Sequence, residues 1–158
     1  RESAIHLPAS EAPAAPPPED CLAMPYVAGV TPDFTRHFDF RWCTDALPMT
    51  GSGDGEIGGW VRLSGDHQPA SSVALLLAII DAWPPAVLPM FSRPAPISSM
   101  SWSVEFPDPP GRPCPGGWWR YHAWTDVAGD GYAHSRAFLW GEDCELVAIS
   151  RQTVALFG

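Results

Sequence analysis

The chain has 158 residues, 46% hydrophobic and 17% charged, which predicts one globular domain with a core and leaves too little length for two. Its formal net charge is −9, and all nine basic residues are arginine. Because a nucleic-acid surface needs excess positive charge to contact phosphates, this balance argues against a nucleic-acid partner.

The chain begins with Arg1 and runs into a segment rich in proline and alanine. This composition is typical of an extended, semi-rigid linker, so we interpret residues 1–32 as a linker or tail and residues 33–158 as the folded domain. A linker joins two parts of a protein, and the first residue is not methionine. We therefore expect the chain to be a fragment that lacks an N-terminal domain.

Two strands are predicted before the helix. From Phe34 to Cys43 the residues alternate, with one face made by Phe34, Phe38, Phe40 and Trp42. A glycine-rich turn leads to a second strand over residues 56–63, in which Ile57, Val61 and Leu63 share a face.

One helix is predicted over Ser71–Trp83, with Ser71 or Ser72 as its N-terminal cap and Pro84 and Pro85 beyond its end. Its side chains are apolar all round, which predicts a helix buried on every side. The apolar run is far shorter than the roughly 20 residues that cross a membrane, so we expect no membrane partner. Asp81, in the last turn, is the exception to this apolar character.

Four further strands are predicted over residues 97–106, 118–127, 132–140 and 146–157. Residues 128–131 and 141–143 are typical of tight turns, which would make the last three strands antiparallel neighbours. The pattern alone thus predicts an α+β domain with one buried helix against an antiparallel sheet.

The four cysteines are widely spaced and include no Cys-x-x-Cys pair: Cys21, Cys43, Cys114 and Cys144. This spacing favours four free thiols over a disulfide or zinc framework. Free thiols are usual in a reducing compartment, so we expect a cytoplasmic protein.

Five stretches within residues 33–158 resemble the C-terminal hotdog of thioesterase II-type acyl-CoA thioesterases: FTRHFDFRW, GGWVRL, ISSMSWSVEF, TDVAGDGYAHSRAFLW and LVAISRQTVALFG. The resemblance implies a hotdog fold, in which a long antiparallel sheet wraps one helix, as half of a double hotdog. It also implies hydrolysis of fatty acyl-CoA in fatty acid metabolism, and pairing with a second hotdog as a dimer or within one protein.

Members of that family hold the attacking water with an aspartate, a threonine or serine, and a glutamine, without a metal, a cofactor or a covalent intermediate. Placed by neighbouring motif, these residues fall on Asp81, Ser99 and Gln152, and Ser99 stands where many relatives have threonine. A carboxylate can act as general base, while the hydroxyl and the amide orient the water. Backbone N–H groups must stabilise the oxyanion, and we consider Gly58 and Gly59 first.

Structural interpretations compete with these roles. Simple alternation places Ser99 on one face with Ser101, Ser103 and Glu105, a pattern typical of a solvent-exposed strand face. Gln152 shares a face with apolar residues, where a buried amide needs hydrogen-bond partners. His122 and His134 lie among aromatic residues, which is typical of structural histidines.

Two other functions stay open. Residues 63–69, LSGDHQP, resemble the S-G-D-x-N-P-x-H loop of (R)-specific enoyl-CoA hydratases, but Gln68 replaces the asparagine and Ser71 the histidine of the acid/base pair. The domain could also serve as a non-catalytic acyl-CoA-binding or dimerisation module. In each case the acyl chain would lie in an apolar tunnel beside the helix. With so few basic residues, the phosphates of CoA would contact a few arginines or a partner segment.

Overall fold

The structure, a computed structural model, describes residue 5 and residues 7–66, 68–107, 114, 116–141 and 143–157. Within them, seven strands form one antiparallel sheet in the order β1-β2-β3-β5-β6-β7-β4, and one α-helix packs against it. The elements are β1 (Leu22–Met24), β2 (Phe38–Trp42), β3 (Glu56–Leu63), α1 (Val73–Asp81), β4 (Ile97–Glu105), β5 (Trp119–Gly129), β6 (Tyr132–Trp140) and β7 (Leu146–Leu156). Short 3-10 helices cover Pro18–Asp20, Asp33–His37 and Leu88–Met90.

The strands predicted from residue 56 onward are confirmed. The bounds of β3 and β6 are those predicted, and β4 and β7 each end one residue earlier than predicted. β5 begins one residue later and ends two residues later than predicted. The tight turn between β5 and β6 is also confirmed. Asp130 and Gly131 have φ values of 51° and 81°, the left-handed conformation that a two-residue hairpin turn requires.

The first predicted strand is wrong in its first half. Asp33–His37 forms a 3-10 helix, and Phe34 is exposed. The Thr35 N–H and hydroxyl both donate to the carbonyl of Pro32, at 3.0 and 2.7 Å, and the Arg36 Nε donates to the carbonyl of Asp33. These local hydrogen bonds compete with strand pairing, so the strand begins only at Phe38.

The helix begins where Ser72 caps it, since the Ser72 hydroxyl accepts a hydrogen bond from the Leu75 N–H at 3.2 Å. The prediction that it is buried on every side is wrong. Leu76, Ile79 and Ile80 face the sheet, but an exposed stripe, hereafter the helix stripe, runs along the other side: Val73, Ala74, Ala78 and Asp81. The described residues of this chain leave the stripe uncovered.

The core lies between the helix and the sheet face that it covers, called the inner face here. Ile57, Val61, Leu76 and Ile79 are fully buried there. Trp83, just beyond the helix, packs its ring against three aromatic side chains of the inner face, those of Phe40, Trp42 and Tyr121. This contact fixes the C-terminal end of the helix over β2 and β5.

Part of the segment that we expected to be linker lies in the sheet, because β1 pairs with β2. The register pairs Leu22 with Trp42, so the next pair outward is Cys21 and Cys43. These two form a disulfide, with Cα atoms 5.4 Å apart, and the prediction of four free thiols is therefore wrong. Spacing along the sequence cannot show a strand pair that brings distant cysteines together. Cys114 and Cys144 are free.

Candidate active site

Ser99 and Gln152 meet near the edge of the sheet, where the Gln152 Nε2 donates a 2.8 Å hydrogen bond to the Ser99 Oγ. The pairing of β4 with β7 shifts between Ser99 and Ser101, as at a β-bulge. Ser99 is opposite Val154, and Trp102 is opposite Gln152. Directly opposed residues of an antiparallel pair point to one face, so the four side chains share the inner face.

The bulge overturns the strand face that simple alternation assigns to Ser99. Ser101 and Ser103, which alternation groups with Ser99, lie opposite Thr153 and Arg151 on the other face of the sheet. One extra residue in β4 reverses the alternation. Ser99 remains solvent-exposed, because β4 is an edge strand.

Gln152 and Asp81 line one small cavity, which lies at the C-terminal end of α1 and has a volume of about 20 Å³, roughly the room for one water. Its apolar wall comes from the helix end and the segment after it, with Ile80, Trp83, Pro85 and Ala86. The polar side chains of the lining come from the inner face of the strands: Ser135, Ser150 and Gln152. Ser99 is absent from the lining and reaches the cavity only through its bond to Gln152.

Trp102 forms the side of the cavity toward β4. Its indole N–H donates a 2.9 Å hydrogen bond to the Ser150 hydroxyl, which is buried on β7. This bond holds the ring against the neighbouring strand and leaves one side of it open to solvent. Trp102 thereby connects the cavity with the exposed edge of the sheet.

Asp81 is the last residue of α1 and is exposed at the mouth of the cavity. Asp81 is exposed because it lies on the helix stripe, at the C-terminal end of the helix. The carboxylate therefore faces both the cavity and the surface that the chain leaves uncovered.

Tyr121 is a site residue that the sequence reasoning missed. It is buried in the cavity wall and stacks on Trp83, with ring centroids 4.9 Å apart. Burial raises the pKa of Tyr121, and the negative charge of Asp81 raises this pKa further. Its phenol therefore stays protonated and can act as a hydrogen-bond donor. The signal was the alternation of β5, which places Tyr121 on one face with Trp119 and Ala123.

Gly58 and Gly59 lie within β3, between β2 and β5, and neither lines the cavity. A Cβ on Gly58 would meet the imidazole of His122, and one on Gly59 would meet the Arg41 carbonyl. Close packing thus requires glycine at both positions. Their role as oxyanion donors stays a prediction.

His122 and His134 have protein partners away from the cavity. His122 is buried, with its Nε2 against the Glu56 carboxylate, and His134 Nδ1 lies 2.9 Å from the Thr153 hydroxyl. In the hydratase-like loop, the Gln68 amide bonds the carbonyls of Leu63 and Gly65 and closes the turn. Asp66 is exposed and does not line the cavity, and His67 lies outside the described residues.

The model of the acyl-CoA thioesterase C-terminal domain family matches residues 18–156. The chain belongs to this family. No curated protein gives a significant match to the sequence.

Solved structures confirm that this acyl-CoA thioesterase C-terminal domain has a hotdog fold. A conserved protein of unknown function with a hotdog fold from Alicyclobacillus acidocaldarius is 24% identical over the whole chain, with a TM-score of 0.81. The acyl-CoA thioesterase II TesB2 of Mycobacterium marinum is 17% identical over the whole chain, with a TM-score of 0.67. The chain spans 58% and 59% of these two proteins, respectively.

Two further observations concern the described part of this thioesterase-family domain. No group of three or more histidine, cysteine, aspartate and glutamate side chains there is arranged to hold a metal ion. No helix there is long and apolar enough to span a membrane.

Proposed function

We propose that this domain hydrolyses acyl-CoA thioesters, with Asp81, Ser99 and Gln152 directing the attacking water. The observation that carries the proposal is the hydrogen bond from Gln152 to Ser99 beside a cavity that Asp81 also lines. A carboxylate, a hydroxyl and an amide at one opening are the groups needed to orient a water and to remove its proton.

In the proposed reaction, Asp81 accepts a proton from the water as the water oxygen attacks the thioester carbonyl carbon. The carbon–sulfur bond then breaks, and the proton passes to the CoA thiolate, so that acyl-CoA and water give a carboxylic acid and CoA. The Gln152 amide has two N–H groups and one oxygen. One N–H bonds Ser99, and the others can hold the water in place.

The oxyanion of the tetrahedral intermediate needs a donor aimed at the cavity. The protonated phenol of Tyr121 is a candidate donor in addition to the backbone N–H groups of Gly58 and Gly59. It is buried in the cavity wall near Asp81. The apolar wall formed by Ile80, Trp83 and Ala86 would contact the acyl chain beside the helix.

The proposal includes a second hotdog domain that covers the helix stripe. The stripe is apolar except for Asp81, and Val73 is 48% exposed. The small side chains of this apolar stripe would let a partner approach the helix closely. A partner there would enclose the mouth of the cavity and could supply cations for the CoA phosphates. The chain itself has 18 acidic and only nine basic residues, so cations from a partner would offset its negative charge near the phosphates.

The test is release of free CoA from a series of acyl-CoAs, followed with a thiol reagent. We expect Asp81→Asn to lower kcat by about 10²- to 10⁴-fold while calorimetry still detects acyl-CoA binding. Asp130→Asn, the same change in the β5–β6 turn, should leave kcat unaltered.

Three other results would contradict the proposal. An unchanged rate in Asp81→Asn would remove Asp81 from the reaction. An absorbance change with enoyl-CoA but no free thiol would favour a hydratase. Binding without either reaction would favour an acyl-CoA-binding module.

A further inference from the structure

The sheet face opposite the helix, called the outer face here, is crossed by the proline-rich segment 10–18. Three side chains of this face donate to backbone carbonyls of the segment. The Trp140 indole N–H bonds the Ser10 carbonyl at 2.9 Å, and the Trp60 indole N–H bonds the Pro16 carbonyl at 2.9 Å. Between them, the Arg120 Nη2 lies 3.5 Å from the Pro13 carbonyl.

The contacts repeat every three residues. The accepting carbonyls belong to residues 10, 13 and 16. Ala12, Pro13, Ala15 and Pro18 are half-buried against the domain, and the residues between them are exposed. A β-strand repeats every two residues, whereas a polyproline II helix repeats every three. Pro17, with φ −64° and ψ 158°, has the dihedral angles of that helix.

The chemistry of the outer face suits such a ligand. A polyproline II helix has no internal hydrogen bonds, so its carbonyls need external donors. Tryptophan offers an apolar ring together with one N–H, the combination used in aromatic grooves that bind proline-rich segments. The Arg120 guanidinium lies 5.5 Å from the centre of the Trp60 ring, and Arg120 is only 3% exposed. These three side chains thus form a row of donors along the groove, in which Arg120 and Trp140 are buried and Trp60 is half-buried.

We propose that the outer face is a recognition groove for a polyproline II segment, and that residues 10–18 occupy it as a ligand from the same chain. The groove lies on the side of the sheet away from the candidate active site. Its role does not depend on the proposed hydrolysis. The groove fixes the path by which the chain enters the domain.

The test is limited proteolysis of the full chain with a glutamate-specific protease. Glu11 lies between the Ser10 and Pro13 contacts, so a seated segment should be cut after Glu11 more slowly than a free peptide of residues 7–20. Replacing both Trp60 and Trp140 by phenylalanine keeps the rings and removes the two indole donors. We expect this variant to be cut after Glu11 about 5- to 30-fold faster. Trp124→Phe, on the same face but without a bond to the segment, should keep the wild-type rate.

A second variant tests the conformation of the ligand. Replacing Pro13, Pro16 and Pro17 by alanine keeps the carbonyls but removes the rigidity that favours polyproline II. We expect cleavage after Glu11 to accelerate at least about fivefold. Equal rates for the wild-type chain and the free peptide would overturn the proposal, as would wild-type rates in both variants. Protection that disappears on dilution would also overturn it, because the ligand would then come from a second copy.

Discussion

The Gln152 Nε2 lies 2.8 Å from the Ser99 Oγ, although the two residues are 53 positions apart in the chain. The bond spans two strands, β7 and β4, and depends on the bulge that turns Ser99 to the inner face. A neutral amide held in this way has a fixed orientation toward the cavity. Ser99 therefore positions the Gln152 amide, and with it any water that the amide binds.

Removal of the Ser99 hydroxyl should impair hydrolysis by releasing the Gln152 amide. We expect Ser99→Ala to lower kcat/KM by about 10²-fold, the scale of a misplaced catalytic group, and Ser99→Thr to retain activity. Steady-state kinetics with one acyl-CoA measure both values. In a double-mutant cycle with Gln152→Ala, the two losses should fail to add because the residues act together. Additive losses would show that they act independently.

Protonation of His122 should make the protein less stable at acidic pH. Burial lowers the pKa of His122, and the hydrogen bond to Glu56 opposes this effect only in part. In the unfolded chain His122 has the ordinary histidine pKa of about 6.5, so the unfolded chain binds a proton more readily than the folded one. Stability is full above that pH and is lost as the pH falls from about 6.5 toward the lowered value.

Denaturant unfolding at a series of pH values from 7.5 to about 5.5 tests this prediction. We expect the free energy of unfolding to fall with pH in the wild-type protein and to fall less in His122→Gln, which cannot be protonated. Glu56→Gln removes a group that raises the pKa of His122, so the loss should extend to lower pH. An equal slope in the wild-type protein and His122→Gln would count against His122 as the cause.

The Cys21–Cys43 disulfide should stabilise the pairing of β1 with β2. It closes a loop with a sequence separation of 22, which corresponds to about 3 kcal/mol in the chain-entropy treatment. Cys43→Ser should lower the free energy of unfolding by this amount, and reductant should have the same effect on the wild-type protein. Cys144→Ser, at an exposed free cysteine, is the matched control.

Titration of thiols in the denatured protein gives a direct count, with two of the four cysteines expected to react. Four reactive thiols would instead fit the reducing, cytoplasmic location that we expected from the sequence.

The helix stripe should mediate pairing with a second hotdog. We expect the chain to self-associate and Ala78→Glu to weaken this association at least about 100-fold, because a partner would bury an unpaired charge. Sedimentation velocity measures the association, and circular dichroism checks that the fold is retained. Ala128→Glu places the same charge at the far hairpin and should have no effect. An unchanged association in Ala78→Glu would exclude the stripe as the interface.

The regular elements from Glu56 onward followed from local pattern. The signals come from residues that are close together in the sequence. They are the alternation over residues 132–140, the serine cap and double proline around the helix, and the turn residues Asp130 and Gly131. The motifs also indicated the family, because they are spread over most of the domain. Asp81 stood out as the charged residue on an apolar helix.

Only the tertiary structure decided which distant residues meet. The disulfide and the bond from Gln152 to Ser99 depend on strand register, and the groove for residues 10–18 depends on side chains of three strands that lie side by side. The residues joined in these contacts are from 22 to 130 positions apart. The extra residue in β4 reverses the side on which Ser99 lies, and composition does not reveal it. The helix was misjudged because an apolar side chain has the same pattern whether it packs on its own sheet or stays uncovered for a partner.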